Sequence, residues 1–475
     1  MGEEPGGNVI RVVPTGDLGL DVLLGGGWRL VKRFEDRESA TIVVRGGSGA
    51  GKTLMGIQVA LELAKALGGD VAVGCVEILP TEYVAQLQSA RPSLAPERVA
   101  MLPVQPSATA GDEPRVYVAL LNDLSPEKPD LVTALEGLDA TVKAAGGKPV
   151  AFIVDSLIEG YGLGASTPRI DADDVLKFAA RYGYALVLCE EVVADETSPW
   201  VFAADTVLQL GVESRERGRW IEVRKHRFGP SATGRHELFL AGRRGPAVIP
   251  AVHAWTSQAV FARRVLGLNI SAQAIEPTQL QWPDAPPLTG GLITISAQSH
   301  FLAERLALTL APQRGQSLVL ELDPLATGPA AVRPPPPAAR AASIPTSLGV
   351  DRAFRWMVEE IASTIDATGE LAIDRLIVTD LQILTAMPSW DAWLGAIRAL
   401  SQLFAGFSAP VIACISHPED RFRRERLIEQ LACYSDSIVT LEVLPSGATG
   451  NTTTTTIVDT ATRVSVLVEL PVGPR

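Results

Sequence analysis

Short unbroken apolar runs alternate along this chain with longer stretches in which apolar residues recur every three or four positions. The first pattern predicts strands buried on both faces, and the second predicts helices packed against them. In the first half the apolar runs are Ala40–Arg45 (ATIVVR), Val71–Glu77 (VAVGCVE), Pro149–Asp155 (PVAFIVD), Ala185–Leu188 (ALVL), Asp205–Leu210 (DTVLQL) and Trp220–Lys225 (WIEVRK). GGSGAGKT follows the first of them and leads into LMGIQVALELAKAL, apolar at helical spacing. This order predicts an α/β fold with mainly parallel sheets covered on both faces.

The second half repeats the order. Leu292–Ile295 (LITI) stands where TIVV stood, Ser317–Asp323 (SLVLELD) where VAVGCVE stood, and Arg375–Asp380 (RLIVTD) where AFIVD stood. Pro410–Ile415 (PVIACI) answers ALVLCE, and Asp436–Leu441 (DSIVTL) answers DTVLQL. A shared order with acid-ended strands points to an internal duplication. The expected domains are 1–255 and 256–475. Ala326–Gly349, dominated by Pro and Ala, reads as a disordered or polyproline-II surface insertion. The Thr run at 452–456 reads as an edge strand of a terminal hairpin, since threonine favours strands.

Composition narrows the function classes. The N-terminus, MGEEPGGNVIRVVP, lacks a basic start and an apolar core, so no signal peptide is expected. No uncharged apolar stretch is long enough for a membrane span, and a cytoplasmic protein is expected. The formal net charge of −12 argues against a dedicated nucleic-acid binder. Cys75, Cys189, Cys414 and Cys433 form no CxxC pair, and those in apolar runs read as small buried hydrophobes. Lys225 is the last lysine, so chemistry that needs one must come from the first half.

Gly46–Thr53, GGSGAGKT, fits GxxxxGK[ST] between a predicted strand and a predicted helix. Glycines let successive backbone N–H groups point inward as an anion nest, and the helix start adds partial positive charge. Gly47, Ser48, Gly49, Ala50, Gly51, Lys52, Thr53 and Leu54 are the expected phosphate cradle. Lys52 would reach the β- and γ-phosphates, and the Thr53 hydroxyl would bind Mg²⁺. Asp155, at the end of an apolar strand, would hold the Mg²⁺ through water; its alternative role is a helix cap. Glu77 would orient the attacking water and accept its proton, or else be a surface acid. Glu190 and Glu191 either sense the γ-phosphate or face water. In the second half the corresponding turn, SAQSH, has neither the glycines nor the lysine of the first. His300 within it reads as a capping or surface residue.

Ahead of the glycine loop, Thr15–Trp28 (TGDLGLDVLLGGGW) resembles the leading signature of the KaiC-like branch of the RecA superfamily, GxxGLDxLLGGG. Gly19, Leu20, Asp21, Leu23, Leu24 and Gly25–Gly27 carry the match. The likeness covers roughly residues 10–250 and is weak beyond them. It implies ATP and Mg²⁺ as ligands, slow hydrolysis with Glu77 as catalytic glutamate, and assembly into homo-oligomers, commonly six-membered rings. It also implies that Lys225 and Arg227, in VRKHR, act on a neighbouring subunit's nucleotide; otherwise they are solvated strand residues. The second half would be a degenerate RecA-like domain serving as a structural layer or as a platform for a protein partner. The competing expectations are a DNA-dependent recombinase- or helicase-type ATPase, with Arg421–Arg426 (RFRRER) as its one basic patch, and a non-hydrolysing ATP-gated scaffold. That basic run reads more simply as the exposed face of an amphipathic helix.

Overall fold

The computed structural model describes residues 10–76, 78–90, 94–103, 113–124, 131–157, 168–192, 198–213, 218–242, 245–268, 291–298, 303–304, 307–308, 316–324, 339–367, 369, 371–404, 411–416, 420–444, 452–459 and 464–470. The chain divides into two compact units, Met1–Ala254 and Trp255–Arg475. Both are α/β with mainly parallel sheets.

In the first unit the strands are β1 (Ile10–Val13), β2 (Trp28–Phe34), β3 (Arg37–Gly46), β4 (Asp70–Cys75), β5 (Val99–Met101), β6 (Val116–Leu120), β7 (Pro149–Leu157), β8 (Ala185–Glu191), β9 (Thr206–Val212), β10 (Arg219–His226), β11 (Arg235–Gly242) and β12 (Gly245–Ile249). The sheet runs β12-β11-β10-β9-β3-β8-β7-β4-β6-β5, with β2 and β1 joined to β3. From β9 to β5 the pairing is parallel, whereas β9 to β12 pair antiparallel. The strands read as continuous apolar runs because both faces are covered. One face of β3 offers Ile42 and Val44 to the core with the helix Lys52–Leu67, while Val43 joins the core of the opposite face with Phe152, Leu186 and Phe178. Every residue of β7 is buried.

The segment Asp17–Gly27 ties the end of β1 to β12 in this unit. Asp17 caps the helix Leu18–Leu23 by accepting from Leu20 N at 2.9 Å, and also accepts from Val248 N of β12 at 3.1 Å. Gly27 sits at φ 129°, and a Cβ there would stand 2.1 Å from the Val13 carbonyl oxygen. Only glycine lets the chain pass that close.

The second unit contains β13 (Leu292–Ala297), β14 (Gln316–Asp323), β15 (Ala339–Pro345), β16 (Ile373–Thr379), β17 (Val411–Ser416), β18 (Ser437–Leu444), β19 (Thr452–Asp459) and β20 (Val464–Leu470), in the order β15-β14-β16-β17-β13-β18-β19-β20. Read outward from the central strand, β18-β13-β17-β16-β14-β15 matches β9-β3-β8-β7-β4-β6 in order, and in both units these pairings are parallel. The equivalence extends to single hydrogen bonds. Asp205, just before β9, accepts from Thr41 N at 2.9 Å, and Asp436, just before β18, accepts from Leu292 N at 2.9 Å. Thr41 and Leu292 occupy the same register position, as do the buried Cys189 and Cys414.

Three sequence readings need correction here. Residues 339–345 of the Pro/Ala-rich stretch are no surface coil: they form β15, with Ile344 fully buried, and the run ends in a 3-10 turn, Thr346–Leu348. Pro345 is tolerated because β15 lies at the sheet edge, where no ladder bond is lost. The earlier part of that stretch, 326–338, lies outside the described residues. The Thr run is an inner strand, since β19 pairs with both β18 and β20, and β20 forms the edge. Asp380 is not the counterpart of Asp155. Asp155 pairs with Cys189, and the residue aligned with it beside Cys414 is Thr379; Asp380 falls one step beyond the strand, at φ 63°.

Candidate functional site

The loop from Gly46 to Lys52 leaves the carboxyl end of β3, the central strand, and opens the helix Lys52–Leu67. Ser48 and Gly49 are exposed, Ala50 is buried, and Gly47, Gly51, Thr53 and Leu54 are intermediate. Gly51, at φ 101°, precedes the helix and offers no capping side chain, so the first-turn N–H groups have no local side-chain acceptor. A Cβ at Gly51 would also approach Leu240 Cδ2 to 2.7 Å. At the other end the helix stops at Gly68, φ 69°, where Gly69 N donates to Ala64 O and Gly68 N to Lys65 O, a Schellman-type ending.

Lys52 is buried. Its ammonium donates to the Gly47 carbonyl at 3.0 Å and to Glu191 Oε2 at 2.8 Å. The strand β8 therefore delivers Glu191 to the loop's lysine, and Val192 N donates to Gly46 O at 3.2 Å to hold that strand end against the loop. Glu190, one residue earlier, points to the other face. It pairs with Arg45 at 3.3 Å, and burial raises its carboxyl pKa against the opposing pull of nearby Ser198 and Arg45. Neither glutamate simply faces water.

Asp155 lies on β7 with only 3% of its surface exposed, on the same face as Cys75, Cys189 and the helix Lys52–Leu67. Cys189 is the register partner of Asp155 across the β7–β8 ladder, and its thiol donates to the Lys52 carbonyl oxygen at 3.7 Å. One side chain thus separates the carboxylate from the first turn that carries Thr53. Burial, aided by the Asp155 charge, pushes the Cys75 thiol up to about 12 and Cys189 well above its usual range, so both stay protonated and unreactive. The Asp155–Ser156 peptide bond is cis.

Among the described residues no group of three or more His, Cys, Asp or Glu could hold a metal alone. One hydroxyl and one carboxylate acting through water, with oxygens from a phosphate, would need no such group, and Thr53 and Asp155 fit that sparse donor set. Glu77 lies outside the described residues; its neighbour Val76 donates N–H to Asp155 O at 2.8 Å. His300 also lies outside them.

Lys225 and Arg227 do not join this cluster. In the register of β10 against β9, Lys225 sits opposite Val207, whereas Leu210 is level with Gly46, about 10 Å farther along the strand. Lys225 donates to the carbonyls of Val201 at 2.9 Å and Phe202 at 2.7 Å, and Arg227 donates to Phe202 O at 3.0 Å. They grip the end of the short helix Pro199–Ala203. Burial and the neighbouring Arg227 charge lower the Lys225 pKa, while Asp205 opposes them.

Sequence reasoning missed Arg219, whose Nε donates to the Gly49 carbonyl at 3.1 Å. Nothing in the local pattern marks it, because the contact spans the sheet between a strand start and a distant loop. The basic run Arg421–Arg426 opens the helix Arg421–Ala432, with Arg421, Arg423 and Arg426 exposed while Leu427 and Leu431 are buried. That is an amphipathic surface helix capped by Asp420, which accepts from Arg423 N at 2.8 Å. No helix among the described residues is long and apolar enough to cross a membrane.

No protein-family model matches the chain, and no curated protein matches it.

Proposed function

We propose that residues 1–254 bind ATP with Mg²⁺ and hydrolyse it slowly, in the manner of KaiC-like ATPases, and that nucleotide state governs the assembly of copies of this chain and its access to partners. One observation carries the reading: an uncapped glycine loop at the end of the central strand, with a buried lysine folded onto the loop's own Gly47 carbonyl and a distant carboxylate, beside a buried aspartate on the next strand but one. A lysine buried at a cost in desolvation needs anionic company, and Glu191 supplies it in the protein alone. A triphosphate would offer the same ammonium more charge. The loop N–H groups would bind the phosphates, and Arg219, already at the Gly49 carbonyl, would lie at the mouth of that cradle.

Thr53 and Asp155 are the residues that would hold Mg²⁺, which when bound neutralises charge on the β- and γ-phosphate oxygens. Glu77 would accept the proton of the attacking water. Lys225 and Arg227 are turned away from their own chain's loop, so any action on phosphate would be on a neighbouring copy. The second unit would not contribute a nucleotide site. Its register places Thr379 where the first unit has Asp155, and its turn offers no lysine. It would serve as a layer or platform for a protein partner.

Phosphate release from Mg²⁺-ATP tests the reading. The expected result is slow, Mg²⁺-dependent release that falls about a hundredfold or more in Glu77→Gln, with ATP binding retained. Release unchanged in that variant would remove Glu77 from the chemistry. Binding without release in the wild-type protein would leave an ATP-gated scaffold.

A further inference from the structure

The two ends of the Lys52–Glu191 ion pair, 2.8 Å apart, differ in their freedom to move. The lysine side chain is 8% exposed, and its ammonium also donates to the Gly47 carbonyl at 3.0 Å, so it is fixed against its own loop. The glutamate side chain is 26% exposed. Glu191 is the last residue of β8, and that strand end is held by Val192 N donating to Gly46 O at 3.2 Å. Its backbone is therefore anchored while its carboxylate borders water. Glu190 cannot take over the contact, because it points to the other face and pairs with Arg45 at 3.3 Å.

A count of donors gives this pair a meaning. A lysine ammonium has three N–H donors. In the protein alone one goes to the Gly47 carbonyl and one to the Glu191 carboxylate, which leaves one. A diphosphate held by the loop N–H groups needs only that remaining donor, so Glu191 can stay where it is. A triphosphate asks the same ammonium to reach a second phosphate group, and a donor must be given up. The Gly47 carbonyl belongs to the loop and cannot leave. Glu191 can, and repulsion between its carboxylate and a further phosphate at the same cation drives it toward water.

We propose that Glu191 stands in for the terminal phosphate of a nucleoside triphosphate and is the residue that sets the loop's preference between triphosphate and diphosphate. It holds the lysine donor that a third phosphate needs, so it weakens triphosphate binding, leaves diphosphate binding alone, and returns to Lys52 once the terminal phosphate has gone. The inference rests on nucleotide binding to the loop.

The experiment is titration of the full-length protein with a non-hydrolysable ATP analogue and with ADP, each with Mg²⁺, in the wild type, Glu191→Gln and Glu191→Ala. Glutamine keeps the shape and loses the charge; alanine removes the group altogether. Both variants are expected to bind the triphosphate analogue about tenfold or more tightly than the wild type, the effect of removing a charged competitor from one hydrogen bond, while ADP affinity stays within about twofold. A merely structural role for Glu191 would move both nucleotides together. Triphosphate affinity unchanged in both variants overturns the proposal and leaves the nucleotide site standing. An equal gain for ADP also overturns it, because Glu191 would then compete with any anion in the loop. Absence of nucleotide binding in the wild type and in both variants overturns the proposal together with the function on which it rests.

Discussion

Asp21 shows how a single residue of the leading signature acts through structure. Its Oδ1 accepts from Thr15 N at 2.6 Å, yet burial dominates and lifts its pKa to about 6 from 3.8. The folded state therefore holds a proton there that the unfolded chain releases. Its contribution is fully present below about pH 3.8 and is lost as pH rises through about 6. Asp21→Asn, which keeps an oxygen acceptor for Thr15, should gain stability relative to the wild type between pH 4.5 and 7.5; denaturant melts at the two values measure it. His226 and His236 act with the opposite sign. Burial lowers both to about 4, so their contribution is present above 6.5 and is lost as pH falls toward 4. Melts of His226→Gln should show a shallower loss on acidification than the wild type.

Elements were more legible than their partners. The buried strands of both units form where apolar runs predict them, because a strand covered on two faces has no polar positions to confuse the pattern. The helix after the glycine loop ends at Gly68 because only a residue at ease at positive φ can close that turn. Gly68→Ala should lower the stability of this unit by about 1 kcal/mol, read as a shift in its urea midpoint without change of slope. The strand β15 was missed because its short run, AASI, lies against proline-rich chain and holds few large apolar residues. Its burial comes from lying beside β14, which local sequence does not encode. The glycine loop between strand and helix was legible from its spacing. The Lys52–Glu191 and Arg45–Glu190 pairs were not, since strand register alone brings those charges together.

Across the whole molecule, two units share strand order, direction and even an aspartate that fastens the start of the central strand, while differing at the carboxyl edge of the sheet. Sequence order alone suggested the duplication. The register sharpened it, by moving Thr379 rather than Asp380 into the place of Asp155. A fold whose stability comes from buried apolar strands can lose its ligand residues and still persist. Calorimetry of the full chain should then show nucleotide raising one transition only. Saturation to about a hundredfold over Kd would add about 2.7 kcal/mol to the first unit and leave the second where it was.

The central claim is one nucleotide site per chain, built by the glycine loop around Lys52. Isothermal titration of Mg²⁺-ATP into the full-length protein and into Lys52→Ala tests it most directly. The account predicts one ATP per chain in the wild type and affinity reduced at least about a hundredfold in the variant, the effect of removing a charged partner from a buried phosphate contact. Two ATP per chain, or an affinity that survives the loss of Lys52, would contradict it.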